Sequence, residues 1–187
     1  AVGSGTLTLN SIGSNNTAHG AYALFYNSDG SNNTGLGAVA LHANMSGDYN
    51  TAVGMGASKE NISGSYNSAL GYLALFDNTA GKHNTGLGAY ALNKTTGEQN
   101  SALGSNAHAN NVSGINNTSV GYLSMSANQS GSANAALGAQ ALANNTTGVN
   151  NAAFGYGALR ANATGSLNTA IGMFADVAAT NLVNATA

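Results

Sequence analysis

The side chains in this sequence that could do chemistry are few. There are four histidines (His19, His42, His83 and His108) and six acids, among them Asp29, Asp48, Asp77 and Asp176. Brought together, such groups could transfer protons or ligate a metal. A second set is the asparagines that precede x-Ser/Thr: Asn44, Asn61, Asn93, Asn111, Asn128, Asn145 and Asn162. These are candidate acceptors for N-linked glycan. With no cysteine in the chain, disulfide and thiolate chemistry are excluded. Whether any of these groups converge depends on the elements that carry them.

Those elements repeat. A pentad of the form Asn-Ser/Thr-x-apolar-Gly, with small variations, begins at Asn16, Asn33, Asn50, Asn67, Asn84, Asn100, Asn117, Asn134, Asn151 and Asn168. The step is 17 residues throughout except between Asn84 and Asn100, where it is 16. Internal repetition of this kind decides the architecture before any residue-level reading. With each such asparagine as place 1, place 4 is apolar except at His19, and place 5 is always glycine. Place 8 is almost always alanine, place 9 usually leucine, place 12 mostly asparagine and place 15 mostly glycine.

On this frame the chemical groups scatter. The histidines take places 4, 10, 17 and 9, and the four aspartates take places 14, 16, 11 and 9. Stacked repeats would need matching phases to build a catalytic or calcium site, so no catalytic, cofactor or metal residue is assigned and no enzyme is expected. His19 and His108 fall on expected core columns. The closely spaced glycines of "GLGAYA" belong to the repeat and open no helix, which argues against a phosphate loop. The recurring sequons sit at place 12, on what reads as an outer turn.

A 17-residue unit is too short for two helices, and its two glycines would weaken any helix by about 1 kcal/mol each. Short strands around glycine corners fit better. Places 1–4 read as one strand, places 6–9 as a second hinged by the place-5 glycine, and places 10–17 as a polar return. Residues at places 4 and 9 are expected to form interior columns, with small alanines at places 3 and 8 between the walls. Glycines at places 5 and 15 are expected to supply positive φ. Asparagines at places 1 and 12 are expected to form amide ladders. Place 7, with Tyr22, Val39, Leu73 and Tyr90, either joins the core or meets neighbouring chains.

The fold class expected is therefore all-β, a parallel β-solenoid of about eleven coils, with residues 1–187 as a single array. Both termini cut the repeat mid-unit, as expected of a segment of a longer fibre. Only 5% of residues are charged and the net charge is −2, so capture of nucleic acid is not expected. No run of about 18 apolar residues exists, so no membrane insertion is expected.

The pentads "NTAVG" (Asn50–Gly54), "NSALG" (Asn67–Gly71 and Asn100–Gly104) and "NTAIG" (Asn168–Gly172) resemble the head repeats of YadA-like trimeric autotransporter adhesins. Similar repeats occur in phage tail fibres. The resemblance covers essentially the whole chain, with a longer period than the usual adhesin head. It implies a left-handed β-roll, a homotrimer around the fibre axis, and a structural or adhesive role on a cell or virion surface. Self-association and a host-surface or glycan receptor are the expected partners. Alternatives are a phage fibre shaft or receptor-binding region, and a carbohydrate-binding solenoid using Tyr72, Tyr122 and Tyr156. Ice binding by the place-2 threonines is disfavoured by the apolar place 4 beside them.

Overall fold

The computed structural model describes residues 1–176 and 180–187. It is an all-β, parallel solenoid. Ten three-residue strands occupy places 2–4 of successive coils. They are β1 (Thr17–His19), β2 (Thr34–Leu36), β3 (Thr51–Val53), β4 (Ser68–Leu70) and β5 (Thr85–Leu87). The series continues with β6 (Ser101–Leu103), β7 (Thr118–Val120), β8 (Ala135–Leu137), β9 (Ala152–Phe154) and β10 (Thr169–Ile171). All ten form one parallel sheet in chain order, about nine turns from first to last. Each strand is in register with the next, as in Thr34↔Thr51 and Leu36↔Val53. Bridges Val2↔His19 and Thr169↔Thr186 extend the pairing into the part-coils on either side.

The expected second strand is not formed. Places 7 and 9 adopt positive φ, as at Tyr22 (56°) and Leu24 (50°), which bends places 6–9 into turns. Stacking survives the bend. The Leu24 amide donates to Ala40 O of the next coil (3.0 Å), and the Tyr22 amide to Ser4 O of the coil before (2.8 Å). The in-register copies above and below hold these left-handed conformations, which L-residues otherwise avoid.

The interior also differs from expectation. Side chains alternate along a strand, so place 3 points inward and places 2 and 4 point outward. The core consists of the place-3 and place-8 alanines with the place-9 residues, such as Leu24, Leu41, Leu75, Leu92 and Leu142. Place 4 is not an interior column. Besides this core, two asparagine ladders run from coil to coil. At place 12, Asn61 Nδ2 donates to Asn44 Oδ1 (2.7 Å) and to Gly64 O (2.8 Å). At place 1, Asn50 Nδ2 donates to the same Gly64 O (2.8 Å), and Asn50 Oδ1 accepts from the Asn67 amide (3.0 Å).

The two conserved-phase glycines serve different purposes. Gly71, at place 5, has φ of 136°, a region that side chains rarely enter. Gly64, at place 15, has no positive φ. A Cβ there would collide with Gly81 O and with the Asn61 side-chain oxygen. Close approach of coils, rather than backbone freedom, requires glycine at place 15.

Candidate functional site

Stacking the coils does not gather the titratable groups. His19 is exposed on the strand face, whereas His108 is fully buried at place 9. His42 stacks on Phe25 with ring centroids 5.6 Å apart, and burial together with the Lys59 charge lowers its pKa. His83 stacks on Tyr66, which stacks on Tyr49, giving a run of three parallel rings at place 17 with centroids 5.0 Å apart. Lys59 pairs with Glu60 at 2.7 Å on a coil edge. Among the described residues, no group of three or more His, Cys, Asp or Glu could hold a metal ion.

The candidate glycan acceptors are relocated. Asn44, Asn61, Asn111, Asn128, Asn145 and Asn162 are fully buried, each a rung of the place-12 ladder. The expectation of an outer turn is therefore wrong for these six. Their carboxamides saturate glycine carbonyls and neighbouring rungs, so the folded coil has neither room nor a free nitrogen for a sugar. Asn93, in the shortened coil, is half-buried and donates to Leu73 O at 3.0 Å. The periodicity that marked these asparagines reflects an internal ladder.

Of the three tyrosines at place 6, Tyr72 and Tyr156 find ring partners, one coil on and one place along, and Tyr122 has Gln140 at that position instead. Tyr72 meets Tyr90 edge-on at 5.3 Å, and Tyr156 meets Phe174 at 5.1 Å. Tyr90's phenol is held above its ordinary pKa by the hydrogen bond with Tyr72. These pairs lie on the surface, where place 7 points outward: Tyr22, Tyr90 and Phe174 are all exposed.

The most extended candidate surface is the outer face of the sheet. Along it run two parallel rows: the small or hydroxylated place 2, and the apolar place 4. Leu36, Leu70, Leu103, Leu137, Phe154 and Ile171 all expose more than a third of their area. Val53, Leu87 and Val120 are half-exposed in the same row. Water contacts an apolar stripe from β2 to β10, interrupted in β1 by His19, and stripes of that kind on a protein surface ordinarily meet a partner. Strand parity turns place 4 outward, so its burial requires a second surface.

Comparison with known proteins finds no matching family, no matching curated protein and no matching solved structure.

Proposed function

We propose that this chain is a rod segment of a self-associating extracellular fibre, non-enzymatic, whose strand faces meet around a common axis in a homotrimer. The observation that supports this reading is the exposed apolar row at place 4 of β2 to β10, presented by an in-register parallel sheet. Each coil offers a small or hydroxylated place 2 and, from β2 to β10, an apolar place 4 at the same phase. A second copy running in the same direction therefore meets like with like in every layer, and rotation about an axis parallel to the rod preserves that register. Three copies close the arrangement with one apolar side chain per chain in each layer, which agrees with the adhesin-like pentads. An adhesive or shaft role on a cell or virion surface follows from the same resemblance.

Sedimentation of the isolated segment tests the reading. The expected mass is three times the 18.4 kDa chain. The Leu103→Asp, Leu137→Asp double variant should sediment as a monomer with an unchanged far-ultraviolet spectrum. A monodisperse wild-type monomer at micromolar concentration refutes the assembly.

A further inference from the structure

The place-4 row on the outer face of the sheet contains a single polar residue, His19 of β1. Strand alternation turns Thr17 and His19 outward and Ala18 inward, so the imidazole stands on the same face as the leucines of later coils. Register fixes its neighbours along the row. Val2 pairs with His19 from the part-coil before, and Leu36 pairs with it from β2. Both neighbours are apolar and exposed. Within one chain the ring nitrogens of His19 meet no hydrogen-bond partner among the described residues. The other three histidines are engaged elsewhere: His42 and His83 stack on aromatic rings off the strands, and His108 is buried in the core. A surface that meets the strand face therefore covers His19 and no other histidine.

In a trimer whose strand faces meet around a common axis, copies of the same residue share one layer. Each layer from β2 to β10 then gathers three apolar side chains, whereas the β1 layer gathers three imidazoles. Covering three polar rings between an apolar Val2 layer and an apolar Leu36 layer is costly unless their nitrogens are bonded. Three imidazoles around one axis can offer a divalent ion one nitrogen each, at about 2.0–2.1 Å, and leave a further position to water. None of the six acids lies on the strand face, so the ligand set suits a transition metal and not calcium or magnesium. We propose that the homotrimer binds one divalent transition-metal ion, such as zinc, on its axis through three copies of His19. The site rests on the trimeric reading of the strand face and is incomplete in a single chain. Its use is register: an apolar row looks much the same after a slip of one coil, but such a slip sets Val2 or Leu36 into the histidine layer and breaks the site.

Sedimentation and zinc uptake by equilibrium dialysis, both on the intact chain, test this together. The expected result is a trimer in chelator that takes up one zinc ion per three chains, with magnesium failing to compete. Cobalt in place of zinc should show the ligand-field absorption of a nitrogen-ligated ion. His19→Leu, which matches the rest of the row, should remain a trimer with an unchanged far-ultraviolet spectrum. It should retain less than about a tenth of the bound zinc, because all three ligands are lost at once. A trimer that takes up no zinc, or one zinc per chain, overturns the site and leaves the assembly standing. Undiminished uptake by His19→Leu does the same. A chain that stays monomeric with and without zinc overturns the assembly, and the site with it.

Discussion

Asn128 Nδ2 lies 2.9 Å from His108 Nε2, inside a column that is leucine in most coils. The amide donates, so the neutral imidazole carries its proton on Nδ1, which has no hydrogen-bond partner. Burial pushes this histidine from its ordinary 6.5 down to about 3. The native state therefore holds His108 neutral where the unfolded chain would protonate it. Stability from this group is complete above pH 6.5 and declines as the pH falls towards 3, at up to about 1.4 kcal/mol per pH unit. The melting temperature should fall between pH 7 and pH 5, and His108→Leu should remove most of that slope. An unchanged slope in the variant would refute the assignment.

His108 also interrupts the core. One apolar cluster runs from Ala18 to Ala107 and another from Met125 to Ala170. Between them lie buried His108, Ser119 and Ser124, and the Ser119 hydroxyl has no partner. Place 3 of one coil sits over place 9 of the coil before, as Gly35 sits over Leu24, so Ser119 sits over His108. The double variant His108→Leu, Ser119→Ala should join the two clusters. A gain of about 1–3 kcal/mol in denaturant unfolding at pH 7 is expected from removing unpaired polar groups.

The ladder asparagines predict a glycosylation result. The folded chain made in a glycosylating host should carry no glycan on Asn44, Asn61, Asn111, Asn128, Asn145 or Asn162 by intact mass and peptide mapping. Asn61→Ala should cost about 2–4 kcal/mol, because Gly64 O, Asn44 Oδ1 and the Asn78 amide all lose a buried partner.

Glycine substitutions should separate by place. Gly64→Ala forces a methyl against backbone oxygen and the ladder, which cannot move without breaking both. Gly56→Ala clashes only with the tip of the Leu73 side chain, with the Phe76 ring in ordinary contact, at a positive φ that Tyr22 and Leu73 also adopt at place 7. The first should be the more destabilising by at least about 2 kcal/mol in urea unfolding. Equal costs would contradict the close-approach account of place 15.

Charge at two leucines of one coil should report the two faces. Leu92 is fully buried and Leu87 is half-exposed on the sheet's outer side. Leu92→Asp should abolish folding by burying an unpaired charge. Leu87→Asp should leave the monomer's circular dichroism intact and weaken only assembly.

The 17-residue period by itself determined that the chain stacks, that its strands pair in parallel, and that the asparagines at places 1 and 12 form columns. Identical residues at identical phase can only meet their own copies, so these features are local and legible. What the tertiary structure decided was direction. A three-residue strand such as Ser101–Leu103 is too short for its sequence to declare which face is wet, and large Leu103 reads as core while small Ala102 occupies it. The inner wall is set by the Ala91 and Leu92 type of turn, whose left-handed residues exist only because neighbouring coils hold them. Sequons read as surface for the same reason that Leu103 reads as core: hydropathy reports what a side chain prefers, whereas the coil's closure decides what it touches. Asparagine is buried here because each rung hydrogen-bonds the next, an arrangement that exists only once the coils are stacked.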